Sequence, residues 1–155
     1  MNRIIYIIIF FSFIFSESIK YRLTPQQNQK IRQAKTLQKN GLNKEAKSIY
    51  FDLFNENPFL KEAFYPLKKI LKNEKDFKTL EEIYPQYLES NNNSISSKID
   101  VIEILIWIKN EKWKSMTIDI INNQFTKEKN LKSLFNTLLK NGKNIELEKY
   151  LNDIR

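Results

Sequence analysis

At 155 residues, 41 % of them apolar and with only two glycines and four prolines, the chain has the composition of one helical domain rather than of a β-sandwich or a Gly-rich phosphate binder. It holds neither cysteine nor histidine, which excludes disulfides, thiolate nucleophiles, Cys/His zinc sites and histidine-based triads. The formal charge of +8 admits an acidic partner or nucleic acid, but Lys, Asn and Ile dominate together and all three have A/T-rich codons, so most of that charge reads as codon bias and solvated faces.

The chain opens like an export signal. Arg3 gives a positive start, the stretch from Ile4 to Phe15 is uncharged and apolar, and Ser16 and Ser18 put small residues at the −3 and −1 positions of a cut after Ser18. The run is well short of the ~20 residues that span a bilayer. The flanking Arg3 and Ser16-Glu17 argue against a buried strand, and an uncleaved membrane anchor is the alternative. No cysteine follows, so lipoprotein attachment is excluded. The reading is an exported protein, periplasmic or secreted.

After a polar lead-in, Thr24-Pro25 offers an N-cap and first-turn proline for a helix over Pro25 to Lys39. Asn40-Gly41 breaks it. Asn43 is expected to cap a second helix, roughly Asn43 to Asn55, whose stripe is Ala46, Ile49, Tyr50 and Leu53. Asn57-Pro58 is expected to start the next helix, with Asn as its cap and Pro at its first position. That second unit carries Ala63, Leu67, Ile70 and Leu71, turns at Asn73 to Asp76, and continues with Phe77, Leu80, Ile83, Tyr84 and Tyr87. Leu80 stands as far beyond Ala46 as Tyr84 does beyond Tyr50, so the pattern repeats with one period. Pro66 and Pro85 fall inside predicted helices, where each costs ~3 kcal/mol in a straight helix; kinks or later helix starts are expected.

Glu89 to Ser97 reads as a polar loop, with Asn92-Asn93-Ser94 as a glycosylation acceptor in a eukaryotic setting and Ser97 as the next cap. The third unit has an apolar first helix (Ile99, Ile102, Leu105, Ile106, Trp107), a turn at Asn110 to Lys112, and a second helix marked by Trp113, Met116, Ile120 and Ile121. Met116 lies two positions farther from Leu80 than Leu80 does from Ala46, a slip in the period. Trp107 and Trp113 read as core aromatics. In the last unit Leu131, Leu134, Phe135, Leu138 and Leu139 form one stripe, and Asn141-Gly142 ends that helix through a left-handed glycine. Ile145, Leu147, Tyr150, Leu151 and Ile154 belong to a final helix with a charged outer face, the form of a polar terminal cap.

Ala34, Gly41, Glu45-Ala46, Tyr50 and Pro58, at these relative spacings, resemble the tetratricopeptide repeat. The resemblance implies an all-α fold, a right-handed superhelix of antiparallel helix hairpins (an α-solenoid). It divides the chain into a signal over 1–18 and a repeat domain over 19–155, with units of about 27–60, 61–94, 95–125 and 126–155. In that family the inner faces of the first helices line a peptide-binding groove. Carried over, the groove would hold Asn28, Lys35, Gln38, Lys39, Tyr65, Lys69, Lys72 and Asn73. These are polar or basic and suit an acidic or carboxylate-ended peptide. Ile31 stands where the family's carboxylate clamp has a basic residue.

No Gly-rich phosphate loop or Gly-x-Ser-x-Gly elbow is present. Glu81-Glu82 and Asp119 are available carboxylates, but neighbouring helix residues do not face one another, and nothing supplies a nucleophile. Lys68-Lys69 and Lys72 read as a solvated basic face. The expected function is an exported, non-enzymatic protein-interaction module without cofactor or metal, whose partner is another protein or peptide, not nucleic acid. A basic nucleic-acid-binding helical protein and a membrane-anchored accessory subunit are the alternatives.

Overall fold

The computed structural model describes residues 23–153, within which the regular structure is all α-helical. The helices are α1 (Pro25–Lys39), α2 (Asn43–Glu56), α3 (Lys61–Glu74), α4 (Phe77–Ser90), α5 (Ile95–Trp107), α6 (Lys112–Asn122), α7 (Glu128–Lys140) and α8 (Asn144–Asp153). Each packs on the next, and α5 also packs on α7. The export signal expected over 1–18, and Ile154 of the last stripe, lie outside the described residues. Among the described residues no helix is long and apolar enough to cross a membrane.

Local chemistry sets the helix ends. Thr24 and Gln27 form a capping box: Gln27 N–H donates to Thr24 Oγ1 at 3.1 Å and Thr24 N–H to Gln27 Oε1 at 3.0 Å, with Pro25 in the first turn. The odd-numbered helices all end in one kind of turn. Gly41, Lys75, Lys109 and Gly142 have φ of +79°, +58°, +57° and +69°. The N–H of the residue after each donates to the carbonyl five positions back: Leu42 to Leu37, Asp76 to Leu71, Asn110 to Leu105 and Lys143 to Leu138, at 2.8–3.0 Å. This left-handed ending satisfies carbonyls the helix leaves open. The interval from Gly41 to Lys75 equals that from Lys75 to Lys109, and Gly142 follows Lys109 at one position less.

The buried positions keep nearly the same period. Ala46, Leu80, Trp113 and Leu147 lie near the starts of α2, α4, α6 and α8 and are 0 %, 0 %, 2 % and 6 % exposed. Trp113 rather than the half-buried Met116 thus follows Leu80, and the expected slip of two positions disappears. One continuous core joins these to Tyr50, Leu53, Phe64, Leu67, Ile83, Tyr87, Ile102, Leu105, Leu134 and Leu138. Each such large apolar side chain contributes about 1.5–3 kcal/mol on burial.

Several expected ends move. Asn43 does not cap α2; Leu42 holds that place without a side-chain bond, because the turn at Gly41 aims the Asn43 N–H at the Gly41 carbonyl, 2.9 Å away. Asn57 ends α2 instead of starting α3. The Leu60 N–H bonds to the Asn57 carbonyl at 2.9 Å, and α3 starts at Lys61, beyond Pro58. Asp76 caps α4 through the Thr79 N–H. Ser94, not Ser97, caps α5; Ser97 is buried in the first turn and donates its N–H to Ser94 Oγ at 3.2 Å. Pro66 and Pro85 both lie inside their helices; the helix that holds Pro66 starts later than the Asn57-Pro58 pattern suggests, at Lys61, and that of Pro85 starts at Phe77 directly after the expected turn. Tyr84 is half-buried where Tyr50 is fully buried, since Ile83 takes the core-facing place in α4. The last helix exposes Glu148 and Lys149 as expected, but Ile145 and Leu151 are also 81 % and 40 % exposed, so its outer face is mixed rather than wholly polar.

Candidate functional site

The helix α1 carries Lys30, Arg32, Lys35 and Lys39 and no carboxylate. Lys35, Gln38 and Lys39, one turn apart on that helix, meet Tyr65, Pro66 and Lys69 of α3 around a cleft of about 540 Å³. No carboxylate of the described residues lines it. Lys35, Lys39 and Lys69 are exposed and make no ion pair among the described residues. Tyr65 and Pro66 form its apolar wall. The hollow of about 360 Å³ between α2 and α4 differs in kind, because Lys44 and Lys47 stand there with Asp52 and Glu82.

Five of the eight groove residues expected from the sequence therefore come together: Lys35, Gln38, Lys39, Tyr65 and Lys69. Asn28 lies instead in a hollow with Pro25, Gln29 and Arg32. Lys72 sits with its ammonium 4.2 Å from the centroid of Trp107. Asn73 is exposed in the last turn of α3 and lines none of these hollows. Ile31, expected beside the groove, is 4 % exposed in the core.

The other side of α3 is tied to α5 at a constant offset. Tyr65 meets Asp100, Lys68 meets Glu103 and Lys72 meets Trp107, each pair separated by the same distance along the chain. Lys68 Nζ is 2.8 Å from Glu103 Oε2. This corrects the view of Lys68-Lys69 and Lys72 as one solvated face: Lys68 is 8 % exposed, paired, and 5.5 Å from the Trp107 ring centroid. Trp107 in turn donates from Nε1 to Asn141 Oδ1 at 2.8 Å, which links α5 to the end of α7.

At the top of this ladder two phenols share one carboxylate oxygen. Tyr65 and Tyr87 donate to Asp100 Oδ2 at 2.9 and 2.8 Å. Tyr87 is fully buried and stacked on Phe64, with ring centroids 3.6 Å apart and planes 3° from parallel. Burial and then the Asp100 charge push the Tyr65 phenol up to about 12, and the same causes raise Tyr87 further. Glu62, one turn before, adds a smaller push on Tyr65. Both phenols thus stay protonated as donors through the neutral range.

The chain matches no protein-family model, no curated protein and no solved structure. What the site can do is read from its own residues. Among the described residues no group of three carboxylates could hold a metal ion. Glu81 and Glu82 are exposed without ion-pair partners there, while Asp119 is engaged by Lys98 at 3.2 Å. The arrangement offers cationic and amide donors beside an aromatic wall, which is recognition chemistry for a carboxylate-bearing ligand. Sequence reasoning missed Pro66 as a wall and Asp100 and Glu103 as partners. The signal for the last two is that they are the two carboxylates of a helix, ISSKIDVIEILIW, that is apolar at all its remaining positions from Ile99 on, and that they stand three positions apart and so on one face.

Proposed function

We propose that the protein is an exported, non-enzymatic interaction module, a tetratricopeptide-like stack of helix hairpins, which takes an acidic peptide segment of another protein into the α1–α3 cleft. The observation that carries the peptide reading is the lining of that cleft: Lys35, Lys39 and Lys69 stand around Tyr65 and Pro66, unpaired among the described residues and with no carboxylate beside them in the lining. One exposed lysine–carboxylate contact contributes only about 0.2–1 kcal/mol. Useful affinity therefore needs several such contacts together with burial of an apolar side chain against the wall.

The stacked arrangement is supported by the recurrence of one turn at Gly41, Lys75, Lys109 and Gly142 and by the constant offset of the α3–α5 ladder. A hairpin that cannot cover its own stripe is stabilised by an equivalent neighbour in register. Right-handed superhelical stacking of four hairpins follows from the same resemblance. Export is supported by Arg3, the apolar run from Ile4 to Phe15, and Ser16 and Ser18 at the cut.

Fluorescence anisotropy of the purified protein tests the reading with three labelled probes: a peptide alternating Glu and Leu, one alternating Lys and Leu, and a single-stranded oligothymidylate. The expected result is salt-sensitive binding of the acidic peptide alone, weakened by Lys35→Glu and Lys69→Glu. Preference for the oligonucleotide would move the assignment to nucleic-acid binding, and indifference to the two lysine variants would remove the cleft from it.

A further inference from the structure

We infer that Asp100, which lines no part of the cleft, sets the cleft's selectivity for acidic peptides that also carry apolar side chains, by holding Tyr65 in place. The inference rests on the proposed peptide reading of the cleft. Tyr65 is the one aromatic among the described residues of the lining and is 40 % exposed. A tyrosine so exposed samples several staggered rotamers unless its far end is fixed. Here the hydroxyl donates to Asp100 Oδ2 at 2.9 Å, and a bond to an ionised acceptor is stronger than one between neutral groups.

Asp100 is itself held. The buried Tyr87 donates to the same oxygen at 2.8 Å and stacks on Phe64, which directly precedes Tyr65 in α3. The contacts close a ring: Phe64, Tyr87, Asp100, Tyr65. They fix the phenol of the cleft from the α4–α5 side, away from α1.

The cleft then has two separable components. Lys35, Lys39 and Lys69 attract carboxylates through charge, which depends weakly on the pose of Tyr65. The ring supplies apolar contact, whose value depends on being held in position before the ligand arrives. Releasing the ring costs apolar contact and leaves the charge attraction in place. Asp100 is a positioning residue, and its signature is a change in discrimination rather than a general loss of binding.

The experiment measures anisotropy on the full chain with two labelled peptides of equal length and charge, one alternating Glu and Leu and one alternating Glu and Ser. The parent is expected to prefer the Glu–Leu probe by about tenfold, one well-buried apolar contact. Tyr65→Phe keeps the ring and removes its tether. That preference should fall about fivefold, the size of one ordinary hydrogen bond. Asp100→Asn keeps an acceptor oxygen and should restore most of the preference relative to Asp100→Ala. Should Asp100→Ala fail to fold, Tyr65→Phe decides alone.

A parent that prefers Glu–Leu while Tyr65→Phe keeps the full preference overturns the role of Asp100 and leaves the peptide cleft standing. Equal weakening of both probes in Tyr65→Phe assigns the clasp to stability only and also overturns the inference. A parent that binds both probes equally removes the apolar wall and the inference with it, whereas binding of neither removes the peptide reading itself.

Discussion

Tyr50 is fully buried, and its hydroxyl has no hydrogen-bond partner among the described residues. Burial alone raises its pKa. An unsatisfied buried hydroxyl costs about 1–3 kcal/mol of desolvation, so Tyr50→Phe is expected to stabilise the protein by about 1 kcal/mol. Urea unfolding checks it; a loss of stability would mean that the hydroxyl has a partner. Backbone strain makes a second residue-scale prediction. Lys109 holds φ +57°, a region that costs a non-glycine residue about 1 kcal/mol. Lys109→Gly should therefore gain about 0.5 kcal/mol net of the extra freedom glycine has when unfolded. Gly41→Ala should lose about 1 kcal/mol although nothing lies within 4 Å of the added Cβ, since the penalty is in φ +79° alone. Thermal melts of the two variants should move in opposite directions. Gly41 and Gly142 announce their turns in the sequence. Lys75 and Lys109 do not, because lysine carries no local preference for a left-handed backbone and takes it only where packing on both sides demands the turn.

Between elements, the α3–α5 ladder concentrates the polar energetics. Lys68 is nearly buried beside Glu103, whereas Lys30 and Glu56 pair at 2.6 Å with side chains 44 % and 47 % exposed. Removing one partner of a buried pair leaves an uncompensated charge, and replacing both by apolar groups is often close to neutral. With Lys68 nearly buried and the Glu103 side chain 28 % exposed, Glu103→Leu is expected to cost about 1–2 kcal/mol, between an exposed and a buried pair, and Lys68→Met together with Glu103→Leu should recover most of it. Glu56→Ala should cost no more than about 1 kcal/mol. A double-mutant cycle by denaturant unfolding measures the coupling; additive effects at Lys68 and Glu103 would show that they do not act as a pair. These partners were partly legible. The stripe of α5 is plain in the sequence, but the offset that sets Asp100 against Tyr65 and Glu103 against Lys68 depends on how two helices outside one hairpin are stacked.

At the scale of the whole molecule, pH reads the clasp. Tyr65 titrates at about 12 in the folded chain against 10.0 for a free phenol, and Tyr87 is raised further. Raised phenol pKa values mean that the folded state holds these protons more tightly than the unfolded state. The contribution of Tyr65 is complete below about pH 10 and is lost as pH rises from there through 12, and that of Tyr87 is lost over a window that extends higher still. Stability should thus fall above pH 10. The fall should be shallower in Tyr65→Phe than in the parent, a comparison in which the lysine titrations common to both cancel. Parallel curves from alkaline equilibrium unfolding would detach the phenols from the fold's pH dependence.

Apolar spacing and turn chemistry by themselves determined the all-helical class, the helix order and most of the core, because a 3.6-residue stripe is buried whatever covers it. The resemblance to the tetratricopeptide repeat, rather than spacing alone, pointed to Lys35, Gln38, Lys39, Tyr65 and Lys69 as groove residues, and these do come together. Ile31 escaped correct placement because one residue of rotation on a helix, about 100°, separates groove from core. The cap at Leu42 was decided by the turn before it and not by side-chain propensity, whereas Ser94 caps through its own hydroxyl and differs from the expected Ser97 only in position. Only the tertiary structure decided that Lys68 is buried, that Lys72 lies on Trp107, and that Asp100 holds the wall of a cleft it does not touch. These are contacts between helices far apart in the chain, and their partners are chosen by how the helices pack rather than by any local pattern.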